Sequence, residues 1–293
     1  MQITVSTIQA LQTSFSKIFR SAYRDTPTFW TRLATEVPST TLINTYGWMQ
    51  RLLQMREWIG PRVIQNLKSS SYTLQNKDYE ATLAVDRNEI EDDMLGLFEP
   101  RTTELARVAA RLPDQLVLAA LLANGTGFDG VAMFSTAHPL DPAGNQSNLS
   151  SEAFTADNWQ AVRARMRSYT GEDGRPLGVN PTLVVIPPAF EKRAKEIFIA
   201  ERGSGGSTNV QQGEASYLVI PELTGNQWYV LDTSAPIKPF IYQLRSPVKL
   251  VSKTNLTDDN LFWQKEFVWG VDGRAVAGYG PWWLAHKSTG GLS

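Results

Sequence analysis

The chain has 293 residues, of which 42% are hydrophobic and 19% charged, with a net charge of -1. That balance is a folded globular protein's; it excludes general disorder, and a near-neutral charge excludes a global basic field that would draw nucleic acid. There is no cysteine, so disulfides, thiolate nucleophiles and thiolate metal sites are excluded too. The first residues, Met1-Gln2-Ile3-Thr4-Val5, lack a basic stretch followed by an apolar core and do not read as a secretory signal. No apolar run approaches the roughly 20 residues needed to cross a membrane. Nine tryptophans suit a protein with much buried contact area, whether in its core or at interfaces.

In chain order, Ile8, Leu11, Phe15, Ile18, Phe19 and Tyr23 recur at helical spacing, with Ser6 as the cap. This helix precedes a polar stretch, residues 24–41, and reads as an N-terminal arm that needs a docking surface. Tyr72 and Leu74 then alternate with Thr73 and Gln75. After Gln75-Asn76-Lys77-Asp78, the residues Tyr79, Ala81, Leu83 and Val85 share one face. Alternation on both sides of a polar tetrapeptide predicts an antiparallel hairpin. A two-stranded ribbon is marginal alone in water, so it must lie on its own domain or on a neighbouring subunit. The pattern by itself does not choose between these.

Residues 101–124 form the longest helical segment, with Leu105, Val108, Ala109, Leu112 and Leu116 as its stripe and Asn124-Gly125 as its stop. Pro113 inside it predicts a kink or a junction of two helices. Trp159, Val162 and Met166 mark a helix opening near Thr155. A buried strand follows at 182–186, then a helix opened by Pro188 with Phe190, Ala194, Ile197 and Phe198 inward. A glycine and serine loop occupies 203–207. Strands are expected at 217–220, 227–231, 240–244, 248–252 and 262–269. No internal repeat is present.

Sites for chemistry are few. Residues 125–130 match GxGxxG, but they follow a helix and enter a loop, whereas a dinucleotide fingerprint follows a strand and opens a helix. His138 and Asp141 are the one pair that fits an acid–base or metal reading, and His286 has no spacing motif to join them. Glu89, Glu91, Asp92 and Asp93 crowd four carboxylates without a calcium-loop pattern; favourable placement at a helix start is the simpler account. Arg163, Arg165 and Arg167 cluster on one helix and suit DNA phosphate, a neighbour's carboxylates or solvent.

Several segments carry a resemblance in this order: Met55-Arg56-Glu57-Trp58-Ile59-Gly60, residues 72–93, Asn124-Gly125 with Phe128-Asp129-Gly130, Ser135-Thr136-Ala137-His138-Pro139, and residues 262–283. Together they resemble the major head subunit of Mu-like phages, over nearly the whole chain. The resemblance implies an α+β subunit of the Hong Kong 97-type capsid fold. Its expected parts are an N-terminal arm (1–46), an extended hairpin loop (47–88), a peripheral domain with a long spine helix (89–135 and 245–293) and an axial α/β domain (136–244). The chain shows no long charged leader before its first helix, which implies a separate scaffold and protease.

The function implied is a major capsid protein whose pentamers and hexamers form an icosahedral head around double-stranded DNA, touched without sequence specificity. A portal protein, the virion as location, and assembly in the host cytoplasm come with it; no membrane, cofactor, metal or catalytic residue does. The extended loop of that fold lies across an adjacent subunit. Trp58, Arg62, Tyr72, Leu74, Lys77, Tyr79 and Leu83 are therefore the expected intersubunit contacts, and a hairpin lysine crosslink is not expected. The competing readings are a bacterial nanocompartment shell of the same fold, or an α/β enzyme using His138 and Asp141.

Overall fold

The computed structural model describes residues 3–49, 69–92, 98–140, 144–171, 174–203 and 206–290. The chain opens with α1 (Val5–Asp25), which buries Ile8, Phe15 and Phe19. Its cap is Thr4, not Ser6: Thr4 has extended backbone and its hydroxyl accepts the Thr7 N–H at 3.2 Å, while Ser6 already lies in the first turn.

The supposedly loose stretch after α1 is ordered. It holds α2 (Trp30–Leu33) and β1 (Ala34–Pro38). Neither is long enough to show a period, and both are set by distant partners. Asp114 accepts the N–H groups of Phe29 and Trp30 at 2.9 and 2.8 Å, capping α2 from 84 residues away. β1 pairs in parallel with a strand more than 200 residues on.

Next come β2 (Ile43–Met49), β3 (Ser69–Gln75) and β4 (Lys77–Asp86). The expected hairpin across Asn76 does not form. β3 pairs with β2, in register from Ile43↔Gln75 to Met49↔Ser69, and β4 instead joins a different sheet. Asn76 is buried rather than a solvated turn. Its amide donates to Ser39 Oγ and to the Thr41 carbonyl, and its side-chain oxygen accepts from Gln243. Those distant partners, absent from any local window, satisfy a residue whose type alone suggests a turn.

After α3 (Arg87–Glu91) comes α4 (Phe98–Ala123), which continues through Pro113 as one helix. Proline removes only the donor that would have served Ala109. Asn124, at φ 47, ends the helix in the left-handed conformation. The buried stripe includes Leu105, Ala106, Ala109, Ala110, Val117, Leu118 and Leu121. Val108, expected in the stripe, is 43% exposed.

The chain continues through β5 (His138–Leu140), β6 (Gly144–Gln146), β7 (Leu149–Ser150), α5 (Ala156–Arg167), β8 (Leu183–Ile186), α6 (Glu191–Phe198), β9 (Ser216–Val219) and β10 (Trp228–Leu231). Thr155 caps α5 as read from the sequence. Then β11 (Phe240–Lys253) runs as one strand where two were expected. Register shifts around Ser246 form an irregularity that takes up Pro247, which has no N–H for a ladder. Residues 262–269 are only partly strand: α7 (Asp259–Gln264) turns through left-handed Lys265 into β12 (Glu266–Tyr279), and β13 (Ala285–Ser288) follows.

Two sheets result. One has the order β1-β11-β12-β4, and the other β7-β13-β10-β8-β9. Two apolar cores match them. The first gathers α5, α6, β8, β10 and the C-terminal half of α4; the second gathers α1, the N-terminal half of α4, and Phe267, Trp269 and Val271 of β12. α4 therefore lies in both cores, as do the long strands β11 and β12 in part. α1 docks on its own chain, with Phe15 stacked on Trp269 at 4.9 Å. Full burial of each such side chain contributes about 1.5–3 kcal/mol.

Candidate assembly surface

The β2–β3 ribbon has seven residues per strand and, among the described residues, no other strand beside it. Its described anchors lie toward the Ile43–Gln75 end. Tyr46 and Tyr72 face each other across the pair; Tyr46 donates to Gln243 Oε1 at 2.7 Å, and Tyr72 accepts the Tyr279 N–H at 3.1 Å. Burial pushes the Tyr72 phenol up to about 12, so it stays neutral. Leu74 is buried over Gly278, where any Cβ would stand 2.5 Å from its methyl carbon. Above this base, Gly47 meets nothing within 4 Å.

The expected contact residues divide accordingly. Tyr72 and Leu74 anchor the ribbon to its own chain, and buried Leu74 has no surface to give a neighbour. Leu83 is half-buried on its own chain's second core. Lys77 is exposed, and Tyr79 is half-buried beside an apolar groove lined by Ala81, Val108, Leu112, Val248 and Val271. Trp58, Arg62 and Asp141 lie outside the described residues.

His138 is fully buried. Its Nδ1 lies 2.6 Å from Asp129 Oδ2, its Nε2 3.0 Å from Asn148 Oδ1, and its ring stacks on Trp282 at 4.1 Å. Both nitrogens face acceptors, and Asn148 in turn donates to the carbonyls of Met133, Trp282 and Ala285. This is a clamp tying the loop after α4 to the end of the chain. Its carboxylate partner is Asp129, supplied by the loop that contains GxGxxG. His286 is also buried, with Nε2 2.9 Å from Ser150 Oγ. Burial and the nearby Arg165 guanidinium push its pKa down to about 4, which keeps it neutral.

Glu89, Glu91, Arg163, Arg165 and Arg167 all have partners within the chain. Glu89 meets Arg101 at 3.1 Å and Glu91 meets Arg87 at 2.7 Å. Arg165 meets Glu152 at 2.6 Å, Arg163 meets Glu214, and Arg167 donates to Asn180. No group of three or more metal-ligating acids and histidines occurs among the described residues.

One surface feature escaped the sequence reading. Phe262 and Trp263, expected inside a strand, sit on α7 at 77% and 78% exposure, the most exposed large apolar side chains described. The signal was Asp258 as the residue before a short helix, with Asn260 and Leu261 as its inward face.

Comparison with known proteins agrees with this architecture. The family model for the Mu-like prophage major head subunit gpT matches residues 8–153, 147–223 and 220–293. The major capsid protein of Escherichia phage Mu is 30% identical over all of this chain and 77% of its own length. The Mu-like prophage FluMu major head subunit of Haemophilus influenzae is 29% identical over 99% of this chain and 76% of its own. Among solved structures, the procapsid of bacteriophage JBD30 is 32% identical with a TM-score of 0.64, covering 99% of this chain and 77% of that one. These matches favour the phage head over the nanocompartment reading, and the fold is the Hong Kong 97-type capsid fold. A ribbon with no third strand among the described residues, a helix spanning two cores, and these relatives lead to one conclusion: the chain belongs to the family of Mu-like prophage major head subunits, as a major capsid protein that builds a shell from its own copies.

Proposed function

We propose that copies of this chain close as pentamers and hexamers into an icosahedral head around double-stranded DNA, with the β2–β3 ribbon lying across a neighbouring copy. The carrying observation is the ribbon's isolation: among the described residues β2 and β3 pair with no third strand, and their described anchors lie at the base. A pair of strands is stable in water only when something supports it. Trp58, Arg62, Lys77 and Tyr79 supply the contacts. Trp58 and Arg62 belong to the segment joining the ribbon's strands, and an amphipathic ring beside a cation suits an interface anchor.

In this reading the four-stranded sheet with α1 and α4 is the peripheral domain, and the five-stranded sheet with α5 and α6 is the axial one. Permanent interfaces bury roughly 2,000–5,000 Å². Several per subunit make a closed shell stable from individually reversible contacts. A separate scaffold or protease, a portal protein and non-specifically held DNA are the partners, and assembly takes place in the host bacterial cytoplasm. A net charge of -1 suits an inner wall that must not grip DNA tightly. The role is structural, with no catalytic residue.

The test replaces residues 50–68 with a tight Gly-containing turn joining Met49 to Ser69, a pair already in register. The subunit should stay folded and form no closed shells. Trp58→Ala should weaken assembly far more than it lowers the free subunit's melting temperature. Normal shells from the shortened ribbon would refute the crossing role.

A further inference from the structure

We propose that the α7 tip is a self-complementary contact, in which Trp263 of one copy seats in the recess beside α7 of a second copy across a rotation axis of the shell. The knob is built, not incidental. Phe262 and Trp263 meet edge to face, with centroids 4.9 Å apart and planes at 90°, so each ring limits the other's freedom. The helix below is held rigidly. Asn260 is buried and its amide donates to the Lys253 carbonyl at 3.1 Å and the Glu266 carbonyl at 2.6 Å, fastening α7 across the ends of β11 and β12. Leu261 plugs into the second core, and left-handed Lys265 ends the helix. The fold needs Asn260 and Leu261; it takes nothing from Trp263, which it presents to solvent.

The seat lies on the same tip. A recess beside α7 is lined by Leu256, Leu261 and Phe262 together with Arg87, Glu91 and Lys265. Leu256 is 41% exposed, so an open apolar wall stands opposite the polar rim of Arg87, Asn88, Glu91 and Lys265. Arg87 is held by Glu91, and a positioned guanidinium or ammonium suits the face of an indole. Knob and seat therefore belong to one surface of one chain, and rotational symmetry brings like surfaces together. This identifies the occupant as a second copy. Burying an aromatic side chain removes about 150–250 Å² from water. That gain is available only on assembly. The inference rests on membership of a shell-forming family and not on where the ribbon lies.

The experiment places photoreactive benzoylphenylalanine at position 263 and assembles shells from an equal mixture of isotopically light and heavy chains. Irradiation should join residue 263 to residues 87–91 or 256–265 of another copy, seen by mass spectrometry as mixed light–heavy pairs. Trp263→Ser should leave the free subunit's melting temperature unchanged while the yield of closed shells falls several-fold. Crosslinks confined to one copy, directed elsewhere on a second copy or onto a different protein, or absent altogether would overturn the proposal. Ribbon shortening tests a separate contact, so the two readings fail independently.

Discussion

Replacing His138 with alanine tests whether the buried histidine is structural. The ring is fully buried, and Asp129's side chain is 3% exposed beside it. Removing the ring strips a partner from the Asp129 carboxylate and another from Asn148 Oδ1. The bond to the carboxylate is worth about 1.5–3 kcal/mol, the one to the neutral amide about 0.5–1.5 kcal/mol, and the ring stack about 0.5–1.5 kcal/mol. Relaxation recovers part of this, which leaves a loss of about 3–5 kcal/mol, the range measured when one partner of a buried pair is removed. For a chain this size that is roughly a 10 °C fall in melting temperature. The assay is thermal unfolding of the free subunit by circular dichroism, with particle yield measured in parallel; both should fall together. A variant that melts like the parent would refute the clamp. Stoichiometric zinc in the parent particle, lost in His138→Ala, would restore a metal-site reading.

His286 gives a pH dependence. Its folded value of about 4 lies below the ordinary 6.5, so the unfolded chain binds the extra proton. Its stabilising contribution is complete above about pH 6.5 and is lost as pH falls toward 4, by roughly 3 kcal/mol in all. His286→Asn should flatten that part of the stability profile, and an unchanged slope in urea titrations would count against the buried neutral ring. Phe15→Ala removes the stack on Trp269 and the centre of α1's buried face, at a cost of about 3–5 kcal/mol. Proteolysis should then release α1 before the rest of the chain opens; simultaneous loss would show that α1 is not a separately docked element.

Where neighbours in sequence are neighbours in space the residues alone went furthest, though Thr4 rather than Ser6 caps α1 and 262–264 is helix rather than strand. The periodicities of α1, α4, α5 and α6 survived folding, because a helix buries a stripe that repeats every three or four residues. Thr155 and Asn124 marked helix ends because caps act on the adjacent turn. The ordered set of segments shared with Mu-like head subunits also lay in the linear text, and it named the family. Strand partnership did not. Alternation shows which face of β3 or β4 is apolar but not which strand lies beside it, so the pairings β2–β3 and β4–β12 came only from the folded chain. Asn76 looked like a turn because its buried partners, Ser39, Thr41 and Gln243, are far away in sequence. The described partners of His138, Asp129 and Asn148, carry no spacing motif that would have marked them in the sequence. Phe262 and Trp263 looked like core because apolar side chains usually are. Only the clamp of Asn260 across two strand ends turned α7 outward and left them in solvent, since a six-residue helix buries one narrow face and must expose the other.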